Sequence, residues 1–399
     1  MKTREVKLGE VANVKGGKRI PKGIGLINIP NGHPYIRVRD LNNKRLLELD
    51  NSYEYVDNET QKVISKYTVK TGDVVLSIVG TIGLVAIVGR TLDGANLTEN
   101  CVKLSSFHGV NRDFLYYYLR SDCGQQEIRC GTVGAVQAKL PIKNIQNIAI
   151  NLPDYTTQER IVSLLLSIDR KIELNQKIND NLEQQAVTYF QELYINNANP
   201  MWQIGTISDL GTVVGGSTPS KTKPEYYTNN GIAWITPKDL SINKSKFISH
   251  GENDITELGL KNSSATVMPK GTVLFSSRAP IGYIAIASNE VTTNQGFKSV
   301  VPYLEIGTAF VYFFLKHSLP VIESAASGST FKEISGSAMK NIPAIIPDRS
   351  TLDQFNSFCA PIFAQQKILE EQNHSLAMLR DSLLPKLMSG AIDIASIQL

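Results

Sequence analysis

The chain repeats itself, and this limits its possible folds more than any other feature. "YIRVRDLNN" from Tyr35 has a counterpart in "WITPKDLSI" from Trp234. "KTGDVVLSIVGTIGLVAIV" from Lys70 matches "PKGTVLFSSRAPIGYIAIA" from Pro269. "NRDFLYYYLRS" ends at Ser121 and "GTAFVYFFLKH" at His317; "IQNIAINLPD" ends at Asp154 and "MKNIPAIIPD" at Asp348. Gly72 and Gly271 lie 199 positions apart, as do Gly83 and Gly282, and the offset drifts to 194 at the two aspartates. Four collinear matches with a drift of a few residues mean a duplicated unit. A chain of 399 residues is also long for one core.

Each copy closes on a strand, a Pro-Asp pair and a long helical run. In the first, Thr156 or Thr157 is the expected N-cap, with Pro153 harmlessly upstream. Heptad spacing carries Ile161, Ile168, Asn175, Leu182 and Tyr189 along one row. Leu165, Ile172, Asn179, Ala186 and Leu193 form its neighbour. In the second copy the row is Phe355, Ile362, Leu369, Leu376 and Leu383. Thr156 to Tyr194 would span about 58 Å at ~1.5 Å per residue. So long an apolar stripe cannot bury itself on its own small domain, whereas two such helices can bury each other as a coiled coil. Asn175 and Asn179 fall on the seam, where buried amides fix register. Pro361 predicts a kink or a late start in the second helix, and Pro385 its end. Antiparallel packing would place the two globular units at opposite ends, related by a pseudo-dyad like that of duplex DNA.

Within each globular copy, short alternating apolar runs with Gly and Pro punctuation predict small, mostly β sheets crossed by a helix near "RDFLYYYLRSD" or "AFVYFFLKHS". Without a βαβ rhythm the class is α+β rather than doubly wound. The consecutive aromatics Tyr116, Tyr117, Tyr118 and Tyr312, Phe313, Phe314 cannot share one helix face. They are expected to be mostly core with some edge exposed, not a stacking platform. The expected segments are 1–153 and 200–347 for the globular copies, and 154–199 and 348–399 for the helices.

The net charge of +4 is by itself weak support for a nucleic-acid partner. Cys101, Cys123, Cys130 and Cys359 show no paired spacing and read as reduced thiols. "MKTREVKLGEVANV" lacks the apolar core of a signal peptide, so a cytoplasmic protein is expected. The most apolar stretch, "DVVLSIVGTIGLVAIVG", is β-branched and broken by Gly80 and Gly83, which fits two buried strands meeting at Thr81 rather than a membrane helix.

Motifs for chemistry are missing. No G-x-x-x-x-G-K-[ST] loop, His-Glu-x-x-His pair or G-x-S-x-G elbow occurs, and neither does an Asn-Pro-Pro-Tyr or Asp-Pro-Pro-Tyr run. Pro153-Asp154 with Asp169-Arg170-Lys171 mimics a nuclease signature. However, Asp169 and Lys171 would point to different sides of one helix, and the second copy has Phe363, Ala364 and Gln365 there.

The duplicated strand, Pro-Asp and long helix, with Gln158, Ile161, Leu165, Asp169 and Ile172, resembles the specificity subunit of type I restriction-modification enzymes. So do "GGSTPSKTKPEYY" from Gly215, "IAWITPKDL" from Ile232, "VLFSSRAPIGYIAIA" from Val273 and "TTNQGFK" from Thr292. The resemblance covers essentially the whole chain and lies in the order and duplication of these stretches. It implies two target recognition domains, each reading half of a bipartite DNA sequence, and helices that set the gap and dock two methyltransferase subunits. Restriction subunits would join afterwards. It further implies a non-catalytic chain without its own cofactor, the partners using S-adenosylmethionine, and ATP with Mg. On this reading Ile161, Leu165, Ile168, Ile172, Leu182, Phe355, Ile362, Leu369, Leu376 and Leu383 serve spacing and docking. The first copy departs from the pattern, with "NVKGGKRIPKGIG" for the Gly-Gly-Ser-Thr-Pro-Ser run and "LTENCVK" for "TTNQGFK". The alternatives are a self-sufficient DNA-modifying enzyme and a coiled-coil scaffold without DNA binding.

Phosphate contacts need cations or bare N–H groups on loops, and base edges need a fork or an amide. Lys15, Lys18 and Arg19 beside the first glycine pair, and Thr218, Ser220 and Lys221 beside the second, meet the first need; a solvated basic loop is the alternative. Arg37 and Arg39 would share one strand face. Lys238 stands opposite Arg39, with ion pairs to Asp40 or Asp239 as the alternative. Arg278 could fork a guanine or cap its turn; Asn294 and Gln295 could pair with adenine or satisfy the loop. Lys332 in "GSTFKEIS", with Gln137 and Lys139 in "GTVGAVQAK", completes the candidate set.

Overall fold

A computed structural model describes residues 3–41, 44–134, 136–328 and 332–394. The outermost positions of the expected segments, 1–2 and 395–399, lie outside the described residues, as do 329–331 of "GSTFKEIS". The chain groups into two units. One combines Met1–Lys171 with Ser375–Leu399 and the other is Ile172–His374.

In the first unit a five-stranded sheet runs in the order Asn13–Gly16, Cys101–Ser105, Val74–Ser77, Val85–Val88, Leu46–Leu47, antiparallel except at the last pair. A three-stranded sheet joins Glu54–Tyr55, Pro34–Ile36 and Asn96–Leu97. Thr3–Lys7 pairs with Ala149–Pro153. The second unit builds the same plan. Its order is Gly211–Gly215, Lys298–Pro302, Val273–Ser277, Ile281–Ala287, Phe247–Ile248, again with only the last pair parallel. A four-stranded sheet and the pair Gln203–Thr206 with Pro343–Ile346 complete it.

The apolar stretch expected to be two strands is two strands, and period-2 geometry explains its composition. Val74 and Leu76 face a core with Phe114 and Tyr116, while Val75, Ala86 and Val88 face another with Ile36 and Leu47. Val273 and Phe275 against Leu274 and Ala285 repeat the division. With both faces covered, the strands need no polar alternation.

The helix Arg112–Arg120 fills the gap between sheet and long helix, and Tyr116, Tyr117 and Tyr118 are wholly buried. Their hydroxyls find partners, as buried phenols must: Tyr117 donates to Asp169 at 2.5 Å and Tyr118 to the Ala149 carbonyl at 2.7 Å. Tyr312, Phe313 and Phe314 on Thr308–His317 are buried likewise.

The first long helix spans Tyr155–Phe190 and continues as π-helix through Gln191–Asn196. Its N-cap is Asp154, not either threonine: the carboxylate accepts the Thr157 N–H at 2.9 Å and the Thr157 hydroxyl at 2.8 Å. Asp348 caps the second helix through the Thr351 N–H at 2.9 Å and also takes the Trp202 indole N–H at 2.9 Å. This explains the repeated Pro-Asp. Proline closes the strand segment and aspartate satisfies the bare N–H groups of the helix start. The second helix runs unbroken over Arg349–Met388, so neither a late start at Pro361 nor an end at Pro385 is realised. A proline removes one rung of the ladder, and packing along the remaining turns carries the helix through it.

In each unit the two helix segments run antiparallel. In the first, Arg380 pairs with Asp169 at 2.8 Å, and Leu384, Leu387 and Met388 join Ile161 and Leu165 in one core. Asp169 is thereby committed to Arg380 and Tyr117. In the second, Asn175 donates to Asn373 at 2.9 Å, Gln366 donates to the Asn179 carbonyl at 3.2 Å, and Tyr189 stacks on Phe355. Asn175 and Asn179 are buried on the seam as expected. Ile161, Leu165, Ile168, Phe355, Ile362 and Leu369 are buried, and Ile172, Leu182, Leu376 and Leu383 half-buried. The apolar side chains these helices leave exposed are others, among them Leu174, Ile178, Phe358, Ile368, Met378 and Leu379. Among the described residues, no helix is long and apolar enough to cross a membrane.

Candidate nucleic-acid interface

In the first unit the strand Asn13–Gly16 ends in a loop that passes directly over the backbone of residues 97 and 98. A Cβ at Gly17 would be driven into the carbonyls of Leu97 and Thr98, so only glycine fits. Gly17 N–H donates to the Cys101 carbonyl at 3.0 Å and Lys18 N–H to that of Leu97 at 2.8 Å. Tyr35 clamps the loop from beneath, its hydroxyl 2.8 Å from the Lys18 carbonyl. Lys18 and Arg19 are thereby held in solvent. Arg19 Nε donates to Glu99 Oε1 at 2.5 Å. Burial pushes the Glu99 carboxyl up, but Arg19 and local hydrogen bonds outweigh it and hold the group below its ordinary range.

The second unit repeats this frame with other side chains. A Cβ at Gly216 would meet the Thr293 and Asn294 carbonyls. Ser217 N–H donates to the Thr293 carbonyl at 2.9 Å, and the Trp234 indole, in Tyr35's place, donates to the Ser217 carbonyl at 3.0 Å. The Thr218 hydroxyl donates to the amide oxygen of the exposed Gln295. Asn294 turns inward to accept the Gly296 N–H at 2.9 Å, which satisfies its loop.

These ladders correct one alignment. Ile36 pairs with Leu97 and Ile235 with Thr293, so Thr98 corresponds to Asn294 and Glu99 to Gln295. Matching "LTENCVK" to "TTNQGFK" letter by letter is one residue out of register, because the lysines mislead: Lys103 pairs with Lys15, whereas Ser299 occupies its place opposite Val214.

Arg37 and Arg39 do not share a strand face. The strand stops at Ile36 and a 3-10 turn, Val38–Leu41, follows, because the Asp40 carboxylate accepts the Arg37 N–H at 2.6 Å and curls the chain. Both guanidinium groups nevertheless converge on Glu54, and Arg39 also reaches Asp40 at 3.3 Å. In the second unit Thr236 caps the helix Pro237–Ile242 and the Asp239 carboxylate accepts the Thr236 N–H in return at 2.7 Å, and Lys238 pairs with Glu252 at 2.6 Å rather than with Asp239.

The Gly-containing loops before the last strand fold back on the end of the central strand. Val79 bridges to Lys139 in the first unit and Arg278 to Glu333 in the second, so the cation changes sides of one bridge. Glu333 lies 3.4 Å from Arg278 and 3.8 Å from Lys298. Gln137, Lys139 and Lys332 are exposed. In each unit the glycine loop, the tight loop at 98–100 or 294–296 and this returning loop adjoin along one edge of the sheet. Lys15, Lys18, Lys139, Lys221 and Lys332 have no carboxylate partner among the described residues, and Ser220 is exposed beside Lys221. Such an edge offers cations, amides and hydroxyls to a polyanion. Among the described residues no group of three or more His, Cys, Asp or Glu could hold a metal ion.

The sequence reading missed the carboxylates Glu54, Glu99, Glu252 and Glu333 and the clamps Tyr35 and Trp234. The aligned Tyr35 and Trp234 were a visible signal; the acids had none, since each meets its cation only through the fold.

The family described as type I restriction modification DNA specificity domain matches residues 2–184 and 199–372. The chain is 39% identical over 193 residues to the type I restriction enzyme MjaIX specificity subunit of Methanocaldococcus jannaschii, a match covering 46% of this chain and 44% of that one. The match thus spans less than half the length of that relative. Similarity to the HindI specificity subunit of Haemophilus influenzae is 23% over 341 residues, 67% of this chain and 73% of that one. The fold is that of the type I restriction-modification S subunit from M. genitalium, with a TM-score of 0.59 at 16% identity, over 97% of this chain and 99% of that one.

Proposed function

The chain belongs to the type I restriction-modification DNA specificity family, and from this we propose that it is the DNA-reading, non-catalytic subunit of such a system. Residues 1–153 and 200–347 each read one part of a gapped, bipartite target. The helical segments 154–199 and 348–399 set the gap and dock two methyltransferase subunits, with restriction subunits joining that complex. The observation that carries the reading is one loop frame built twice with different side chains at matching positions. A repeated frame gives equal docking on the duplex, and changed side chains give different letters. Lys15, Lys18, Lys139, Lys221 and Lys332 suit phosphates; Arg19, Arg37, Arg39, Lys238 and Arg278, held by carboxylates, suit positioned contacts. Gln137, Thr218, Ser220, Asn294 and Gln295 complete the surface. Leu174, Ile178, Ile368 and Met378, exposed on the long helices, supply apolar area for the methyltransferase.

Methylome sequencing of cells expressing this chain with a type I methyltransferase subunit tests the reading. Methylated adenine in a motif of two short specified parts around an unspecified centre is expected. Methylation without such a motif, or turnover by the purified chain alone, overturns it.

A further inference from the structure

We propose that Glu99 and Gln295 are the base-reading residues of one device built once in each domain, held by Arg19 and Thr218 respectively, with Glu99 taking a cytosine and Gln295 an adenine. The inference rests on the reading that both domains bind DNA and names the letter-setting position within each.

The two sites are equivalent by register. Glu99 and Gln295 each stand two residues beyond the ladder partner of Ile36 or Ile235. Arg19 and Thr218 each stand two residues beyond the glycine that passes over that ladder. In both domains the side chain of the first loop reaches the side chain of the second. The backbone frame is constant while both side chains change, and they change together: a cation faces a carboxylate in one copy, a hydroxyl faces an amide in the other. A clamp that only held loops together would have no need to change its chemistry.

The concerted change has a physical cause. A carboxylate is repelled by the phosphates that flank any groove, so bringing one to a base requires a cation beside it. Arg19 supplies that cation at 2.5 Å while its side chain stays 77% exposed, leaving its two NH2 groups for the DNA. Glu99 is then an ionised group that only accepts, which suits the N4 amino group of cytosine. Gln295 is neutral and needs no counter-cation. The Thr218 hydroxyl occupies one lone pair of its amide oxygen, and the other lone pair with the NH2 group matches adenine N6 and N7.

The test exchanges the device. Arg19→Thr with Glu99→Gln is made in the first domain, and Thr218→Arg with Gln295→Glu in the second. Each variant is expressed with the methyltransferase subunit and its methylated motif sequenced beside that of the unaltered chain. The first exchange should turn one cytosine of one half-site into adenine and leave the other half-site and the gap as they were. The reverse exchange should turn one adenine of the other half-site into cytosine. Glu99→Gln alone should lower discrimination at its letter roughly 5-fold or more. Unaltered letters in both exchange variants overturn the assignment. So does loss of methylation, with no new motif, in variants whose unfolding midpoints are unchanged. An unaltered chain that yields no bipartite motif refutes the DNA-reading itself, a failure separable from that of the device.

Discussion

Lys246, at the edge of the second unit's main sheet, donates from its ammonium group to Glu183 of the first long helix. Lys246 is buried and Glu183 half-buried: the ammonium group is enclosed by the rings of Tyr312, Phe313 and Phe363 and also donates to Gln366 at 2.6 Å. Glu370 accepts the backbone N–H groups of Lys246 and Phe247 at 2.8 and 3.1 Å. This polar cluster ties the main sheet to the helices within its unit. Lys246→Met leaves Glu183 with Lys316 at 2.7 Å but strands the Gln366 amide oxygen, and should cost about 1–3 kcal/mol in urea unfolding. Adding Glu183→Leu should recover part of that loss, since the carboxylate deprived of Lys246 goes with it.

Acid should act on this cluster with two opposite signs. Burial pushes Glu183 up, but Lys246 and Lys316 outweigh it, so its pKa lies below the ordinary 4.5. Its contribution is complete above that value and lost as pH falls through the lower folded value. Burial raises Glu370, so protonation favours its folded form and its contribution opposes the acid loss. Unfolding midpoints between pH 7 and pH 3 should therefore fall less steeply for Glu183→Gln and more steeply for Glu370→Gln than for the unaltered chain.

The caps differ in what they hold. Asp154 serves only its helix start, whereas Asp348 also accepts the indole of the buried Trp202. Asp154→Ala and Asp348→Ala should both lower Tm in thermal unfolding, the second further because it strands a buried donor as well as a bare helix end. Equal shifts would show that the indole bond contributes nothing.

Arg278 and Lys221 should separate by the kind of loss. If Arg278, which lies beside Glu333, forks one base as proposed, Arg278→Ala should cost roughly 1–3 kcal/mol and relax one letter of one half-site. Lys221→Ala should weaken binding to all sequences alike and reduce the slope of log affinity against log salt by about one. Titrations of the methyltransferase complex with specific and scrambled duplexes at several salt concentrations check both.

What could be read without coordinates was whatever depends on spacing. The buried Asn175 and Asn179 and the two apolar strands follow from periods of 3.5 and 2 acting on the letters themselves, whereas Tyr116, Tyr117 and Tyr118, expected to leave some edge exposed, are wholly buried because the sheet and the long helix cover them together. Misreadings arose where a short-range rule met a competing partner. Asp154 took the cap from Thr156 and Thr157 because its carboxylate reaches the Thr157 N–H. Asp40 curled a strand that alternation would have continued. Arg19 and Glu99 stand 80 positions apart. No periodicity connects them; the sheet order does, and that order emerges only when the loop over Gly17 is folded.

The first unit takes Leu384, Leu387, Met388 and Ile394 into a core begun by Leu8 and Val11. The second holds both of its helix segments between Ile172 and His374. Domains ordinarily fold in the order in which the ribosome releases them, but here the core of the first unit includes residues made after the whole of the second. The second unit is complete in sequence at residue 374, while part of the apolar face of the first is covered only by Leu384, Leu387, Met388 and Ile394. Synthesis that halts shortly after residue 374 should therefore leave a finished second unit attached to a first unit with an apolar face still open to solvent.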